Sequence, residues 1–445
     1  MKNIDLNKIK KAHFIGIGGI GMSAVAKMML TEGKEVSGSD LADSSITRDL
    51  EKMGAKIFYS HNGDNVSDDI EMAIYSPAIK EDNPEFEKAK KLGIPMLSYP
   101  QMLGLISEGK YTIAISGSHG KTTTTAMIGQ IMEDANLNPT IIVGSLMNGN
   151  HSNFTAGKGK YFVVEACEYK KSFLSITHPN IIVITNIDAD HLDYYGTLEN
   201  VKKAFGEFVA KLGENDYLVC DSENENLKDI ITNTKAKIIN YAKAPEDGLR
   251  LAVPGNHNVK NAKAALAVAT TLGIDKKSLL GSLNNFKGTW RRFEHKGKMN
   301  AGALVYDDYA HHPTEIKATL ATAKEFFAYH RASGGKIICI FQPHLYSRTK
   351  MLFKEFTESF TDADEVIFAD IYAAREVHDD SINSEMLARE IENAKYMESF
   401  EAIEKYIKEN AGEHDVIITM GAGDVYKIGE NLLKALDQQT VNNSL

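Results

Sequence analysis

The stretch that decides the reading of this chain is Tyr111–Thr125, YTIAISGSHGKTTTT. An apolar, β-branched run, Tyr111 to Ile115, leads into a tight turn carrying Gly117 and Gly120. Lys121 and Thr122 follow, and Ala126 to Asp134 is helix-compatible. The predicted order is strand, loop, helix. Backbone N–H groups of a glycine turn at a helix N-terminus form a concave anion site, a lysine adds a compact positive charge, and a threonine hydroxyl can hold Mg²⁺. That chemistry suits a nucleotide triphosphate. The spacing, Gly-x-x-Gly-Lys-Thr, is shorter than the standard phosphate loop. A surface turn with a chance lysine is the competing reading, and the strand before and the helix after weigh against it.

Outward from this loop, the chain has 445 residues, more than one compact core accommodates, and about three domains is the soft prior. Hydrophobic residues make up 43% and charged residues 25%, the balance of an ordinary globular protein. Net charge is −10 with a pI near 5.8 and no basic stripe, so nucleic acid is not an expected partner. Cys167, Cys220 and Cys339 are far apart, odd in number and without metal-like spacing, as in a reduced cytosol. Lys2, Lys8, Lys10 and Lys11 make a basic start, but the glycine-punctuated sequence after them is not that of a signal peptide. No apolar run approaches the ~18 residues of a membrane span, so no membrane insertion is expected.

Upstream, His13–Leu30 (HFIGIGGIGMSAVAKMML) reads as a strand, a glycine turn Gly16-x-Gly18-x-x-Gly21, and a helix. Glu35–Ser39 is a second strand ending at Asp40, an acid about 20 residues past the last glycine. In form this is a dinucleotide fingerprint; the glycines leave open whether NAD or another nucleotide sits there. Strands at Lys56–Tyr59, Met72–Ser76 and Met96–Ser98, separated by helices at Ser45–Met53 and Pro84–Leu92, complete a β/α unit over residues 1–108. The phosphate loop opens a second unit, residues 109–292.

Within it, Tyr161–Glu165 and Ile181–Thr185 are apolar strands, the second running into Asn186–His191. Ligands gather at the carboxyl ends of strands in open α/β sheets, which brings Glu165 and His191 towards the loop as candidates for metal ions bridging phosphates. The plainer alternative is that Glu165 caps a turn and His191 starts a helix. Asp188, Asp190 and Asp193 read as loop or cap residues. Farther on, His257 and Asn261 lie four residues apart on a predicted helix and share a face able to read an adenine edge; capping by Asn256 or Asn258 explains the segment equally well. Arg291 and Arg292 mark a domain exit that could deliver an arginine to phosphate, or a solvated surface pair. The third unit, residues 293–445, has strands at Leu304–Asp308, Ile337–Phe341, Val366–Ala369 and Val416–Thr419. Tyr309, His311, His344 and Arg348 follow strand ends and form a second polar cluster.

Together GIGGIGMS (Gly16–Ser23), GSHGKTTTT (Gly117–Thr125), Glu165, TNIDADH (Thr185–His191), GNHNVKNAKAA (Gly255–Ala265), RRFE (Arg291–Glu294), DDYAHHPTE (Asp307–Glu315) and FQPHLYSRT (Phe341–Thr349) make the chain resemble the Mur ligase family. The motifs span all three units in family order. The resemblance implies an α/β protein of three domains: an N-terminal Rossmann-like UDP-binding unit, a central P-loop ATPase-like unit with a mostly parallel sheet, and a C-terminal Rossmann-like unit. It implies an ATP- and Mg²⁺-dependent ligase of bacterial cytoplasm, monomer or homodimer, that joins L-alanine to UDP-N-acetylmuramate in peptidoglycan synthesis, and so serves cell-wall growth, shape and division.

Residue by residue, the resemblance puts Gly117, Ser118, His119, Gly120, Lys121, Thr122 and Thr123 on the ATP phosphates and His257 and Asn261 on adenine. Arg292 falls to phosphate, Thr122 and Glu165 to Mg²⁺, and His191 to a second metal position. Gly16, Gly18, Gly19, Gly21, Met22, Ser23, Asp40 and Ser76 fall to the UDP substrate, and Tyr309, His311, His344 and Arg348 to the amino acid. Lys121, Glu165, His191, Arg292 and His311 are the catalytic candidates, His311 as the amine base. The chain departs from the family at Leu345, where some members carry arginine, and at Glu165-Ala-Cys167-Glu168-Tyr169-Lys170, which makes Glu168 a doubtful metal contact. A sibling that recycles murein tripeptide shares the fold and chemistry. An NAD-dependent oxidoreductase would explain Gly16, Gly18, Gly21 and Asp40 but leaves the Gly117–Thr125 loop without a purpose.

Overall fold

The computed structural model describes residues 4–149, 151–374 and 376–442. Among them are three β-sheets. The first holds β1 (Lys11–Ile15), β2 (Glu35–Ser39), β3 (Lys56–Phe58), β4 (Met72–Tyr75) and β5 (Met96–Ser98), all parallel in the order β3-β2-β1-β4-β5. The second holds β6 (Tyr111–Ser116), β7 (Thr140–Met147), β8 (Ser152–Thr155), β9 (Tyr161–Glu165), β10 (Ile181–Ile184), β11 (Tyr217–Cys220) and β12 (Lys237–Asn240). Its order is β12-β11-β10-β6-β9-β7-β8, parallel except for the antiparallel β8. The third holds β13 (Glu294–Lys298), β14 (Leu304–Asp308), β15 (Ile337–Phe341), β16 (Glu365–Phe368), β17 (Ala394–Tyr396) and β18 (Val416–Met420), in the order β13-β14-β18-β15-β16-β17 with only β13 antiparallel.

Strands covered on both faces by helices have no solvent side, so they read as unbroken apolar runs. Both IIVI of β10 and IICIF of β15 are wholly buried. In β15 the residues alternate between two cores. Cys339 and Phe341 join Phe356, Phe360 and Phe368 on one face, and Ile338 and Ile340 join Ile367, Ile403 and Ile417 on the other. The rings of Phe341, Phe360 and Phe368 meet edge to face at 5.2–5.8 Å, the arrangement the aromatic quadrupole favours.

In the first two sheets the chain leaves one central strand, builds to one side, then returns to build on the other. The switch points are the carboxyl ends of β1 and β6, where the two glycine turns lie. The helix after the phosphate loop begins at Lys121, five residues before the expected Ala126. Four consecutive β-branched threonines are weak helix formers, but Thr122–Thr125 are buried by tertiary packing and the Thr125 hydroxyl bonds the Lys121 carbonyl at 2.8 Å, which overrides propensity.

The chain divides into two compact units. The first comprises the residues up to Ala189 with Leu198–Arg250 and Lys260–Phe286, and so contains two sheets. The helix Ile20–Thr31 packs against β7 and β8, and the buried Asn153 of β8 donates to Ser23 Oγ (2.8 Å) and the Ile20 carbonyl, tying the sheets together. Asp190–Thr197, Leu251–Val259 and the residues from Lys287 form the second unit around the third sheet.

Candidate active site

The phosphate loop sits at the carboxyl end of β6. Gly117 (φ +130°) and Gly120 (φ +83°) are in the left-handed region, and a Cβ on either would collide with Thr185 Oγ1 or Asn261 Oδ1 respectively. Asn261, a candidate adenine contact, therefore lies directly against the loop. The segment after β10 braces the loop from the other side. Asn186 Oδ1 accepts the His119 N–H (2.9 Å), while Thr185 Oγ1 and Asn186 Nδ2 donate to the His119 carbonyl at 2.5 and 2.9 Å. Ser118 Oγ accepts the Asp188 N–H at 2.8 Å, and the His119 ring meets the Asp188 carboxylate at 3.1 Å. Asp188, left unassigned from the sequence, thus holds the loop in shape.

Lys121 points back into the loop, donating to the carbonyls of Gly117 (2.5 Å) and Ser118 (3.0 Å) and to Glu168 Oε1 (2.9 Å). Burial alone would lower its pKa; the negative charge of Glu168 outweighs that and holds the ammonium above the ordinary lysine value. Glu168, doubtful as a metal contact from the sequence, is the buried counter-ion of Lys121. No sequence pattern marks this pairing, which joins residues 47 apart. Beside it, Thr122 Oγ1 donates to Glu165 Oε1 at 3.1 Å, and Glu165 Oε2 accepts the Gly144 N–H at 2.7 Å. A hydroxyl and a carboxylate this close are hard oxygen donors of the kind Mg²⁺ takes, so the residues fit that ion. Thr123 is buried.

At the first glycine turn, the Asp40 carboxylate accepts the N–H groups of Gly18 (2.9 Å) and Ala42 (3.1 Å), so this acid anchors the turn. Gly16 packs against Ser76, and Gly19 stands at the N-terminus of the helix Ile20–Thr31. Met22 and Ser23 are buried in that helix, and the Ser23 hydroxyl is engaged by Ile20 and Asn153.

In the second unit the two adjacent arginines separate. Arg291 is 3% exposed and bonds Asp307 (2.7 Å) and the carbonyls of Gly421 (2.6 Å) and Gly423 (2.9 Å), so it is not part of a solvated pair. Arg292 lies over the Tyr309 ring at 5.2 Å and 3.9 Å from Glu315, its side chain 28% exposed. Arg348 Nη2 donates to the buried Asp190 (3.2 Å), with Nη1 3.4 Å from His344 Nδ1; His344 stacks on Tyr372. Burial would raise the Asp190 pKa, but His191 and Arg348 hold it far below the usual carboxylate range. The sequence places Asp190 in a loop; the structure gives it Arg348 as a partner. His191 (φ +55°) precedes the short helix Leu192–Tyr195, 3.7 Å from Asp190 Oδ2.

His311 Nδ1 lies 2.9 Å from the Tyr309 carbonyl oxygen, which puts the proton on Nδ1 and the lone pair on Nε2. Burial lowers its pKa to about 4, with Arg348 adding to the effect and Glu315 opposing it. His257 is likewise pushed to about 4 by burial and by Arg292. Both imidazoles are neutral at pH 7. Glu315 also receives the N–H groups of His311 (3.0 Å) and His312 (3.3 Å), and His312 caps the helix Pro313–Phe326, so the HHPTE run builds its own support.

Comparison with known proteins gives the same arrangement of parts. Residues 11–111 match the Mur ligase family, catalytic domain; 115–252 the Mur ligase middle domain; and 291–423 the Mur ligase, glutamate ligase domain. The chain is 44% identical to the UDP-N-acetylmuramate–L-alanine ligase of Clostridium tetani, over 96% of this chain and 99% of that protein. It is 42% identical to the enzyme of the same name from Acetivibrio thermocellus, over 98% of each. A crystal structure of UDP-N-acetylmuramate-alanine ligase from Thermotoga maritima superposes with a TM-score of 0.80 at 31% identity, covering 96% of this chain and 99% of that one. A murein peptide ligase from Psychrobacter arcticus shares the fold at a TM-score of 0.73 and 24% identity, covering 96% and 98%. With the family's three domains matched in order and such relatives aligned over nearly their whole length, the chain belongs to the Mur ligase family.

Proposed function

We propose that this chain joins L-alanine to the lactyl carboxylate of UDP-N-acetylmuramate, converting ATP to ADP and phosphate in peptidoglycan precursor synthesis. The observation that carries this reading is identity above 40% with enzymes named for that reaction, end to end in both chains. The NAD-dependent alternative leaves the Gly117–Thr125 loop without a purpose, and Asp40, the residue it drew on, anchors the glycine turn through the Gly18 N–H.

A carboxylate is a poor electrophile and is activated by phosphoryl transfer from ATP, giving an acyl phosphate. For that transfer two anions, the carboxylate and the terminal phosphate, have to meet. The N–H groups at the start of the helix Lys121–Asp134 cradle the phosphates, and the Lys121 ammonium neutralises charge on the transferring group. Thr122 and Glu165 are the residues we assign to Mg²⁺, which supplies further neutralisation when bound, with His191 as the candidate for a second metal position. Arg292 is the arginine of the pair free to reach phosphate, since Arg291 is locked by Asp307. The alanine amine attacks the acyl carbon and phosphate leaves. For the amino acid we assign Tyr309, His311, His344 and Arg348. A pKa of about 4 makes His311 a weak base for an ammonium group, so its Nε2 lone pair serves better to orient the amine as a hydrogen-bond acceptor.

The test is phosphate release with purified protein. It is expected only when ATP, UDP-N-acetylmuramate and L-alanine are all present; release without the sugar nucleotide or without the amino acid, or consumption of a nicotinamide cofactor, overturns the reading.

A further inference from the structure

Tyr99 lies where the two sheets of the first unit meet. It opens the helix Tyr99–Ser107 at the carboxyl end of β5, and a Ser98–Gln101 capping box fixes that start. The helix packs on the segment Tyr169–Ser175 of the second sheet's unit, with Gly104 against the Ser175 carbonyl. The Tyr99 ring occupies the space where Gly21 lacks a side chain: a Cβ there would stand 2.6 Å from the phenolic oxygen and 2.8 Å from Cε1. From the other side, the helix Ile20–Thr31 that carries Gly21 packs on β7, whose Gly144 N–H binds Glu165; burial and the Glu165 charge keep the phenol protonated. Tyr99 is partly exposed, and its hydroxyl is not one of the buried unpartnered polar atoms among the described residues, so it is open to a ligand. A neutral, accessible donor thus stands between the glycine turn assigned to the UDP moiety and the strand that holds the carboxylate assigned to Mg²⁺.

We propose that the Tyr99 hydroxyl donates a hydrogen bond to the lactyl carboxylate of the sugar nucleotide and aims it at the ATP site. This rests on the functional reading above, and it adds a substrate-binding residue that no sequence motif of the chain marks. The chemistry requires such a donor. The lactyl group is the part of the ligand that leaves the first sheet's turn to reach the phosphoryl group, and it is an anion approaching Glu165. A neutral O–H stabilises it without introducing a cation that would compete with Lys121 for the phosphates. Tyrosine also supplies reach at low conformational cost, since its ring is already clamped on Gly21.

The experiment is calorimetric titration of wild type and Tyr99→Phe with two ligands, UDP-N-acetylmuramate and UDP-N-acetylglucosamine, which differ by the lactyl group. A hydrogen bond to a charged acceptor predicts that Tyr99→Phe raises the Kd for UDP-N-acetylmuramate about tenfold or more and leaves that for UDP-N-acetylglucosamine within about twofold. Tyr99→Leu should show the same contrast, with melting temperatures reporting whether either variant is misfolded. Equal weakening for both ligands would make Tyr99 merely structural, and no weakening for either would remove it from the site; each result overturns the proposal. Failure of the functional reading looks different: wild type itself would bind neither ligand, or would release no phosphate with all three substrates.

Discussion

The Lys121–Glu168 pair makes a quantitative prediction through Glu168→Gln. The glutamine keeps an acceptor near Lys121 but removes the charge, leaving the ammonium with two loop carbonyls and a neutral amide. A hydrogen bond to a charged group contributes ~1.5–3 kcal/mol and a neutral one ~0.5–1.5 kcal/mol. Truncating one member of a buried ion pair costs ~3–5 kcal/mol. Glu168 is 1% exposed, which places this site towards the buried limit, and the retained acceptor moderates the loss. The expected destabilisation is about 2 kcal/mol, a drop in Tm on the order of 5 °C for a unit of this size. Nucleotide changes the outcome, because triphosphate oxygens take over the neutralisation of Lys121 that Glu168 provides in the free protein. Scanning calorimetry with and without ATP should therefore show a clear loss in the free variant and a much smaller one at saturating nucleotide. A free-protein Tm within about 1 °C of wild type would refute the pair as a stabilising element, and an equal loss with and without ATP would refute the exchange of partners.

Lys121→Ala is expected to abolish phosphate release while UDP binding survives; equal loss of both, measured by titration with UDP, would show that the two glycine turns are not separable. It should also lower the Tm of the free protein, since it strands the Glu168 carboxylate. Arg348→Ala should mainly raise the KM for L-alanine, seen by varying alanine at saturating ATP; a raised ATP KM with an unchanged alanine KM would move Arg348 to the nucleotide side. Acid should destabilise the second unit. His257 and His311 titrate near 4 in the folded chain against about 6.5 unfolded, so unfolding takes up protons between these values. Their contribution is fully present above pH 6.5 and lost as pH falls towards 4, about 2 kcal/mol for each at pH 5. Urea melts at pH 7.5 and 5.0 would measure this, and His311→Gln should flatten the difference; an unchanged difference would place the proton uptake elsewhere.

Local chemistry explains how much was legible. Unbroken apolar runs in β10 and β15, glycines needing left-handed backbone in the phosphate loop, and Pro313 at a helix start each leave a mark within a few residues. The misplaced start of the helix Lys121–Asp134 has a long-range cause, because packing of four threonines outweighed their local preference.

What the sequence determined by itself was the strand–turn–helix order at both glycine turns and the placement of Lys121, Thr122 and Glu165 around the phosphate loop. Periodicity and turn residues are local properties, and switch points follow from strand order. What only the tertiary structure decided was partnership. Glu168 against Lys121, Asp190 against Arg348, Asp40 turned onto Gly18, Arg291 buried while Arg292 is not, and Tyr99 seated on Gly21 all join residues distant in the chain. A charge's role depends on the dielectric and the partner it meets after folding, and residue type and spacing specify neither.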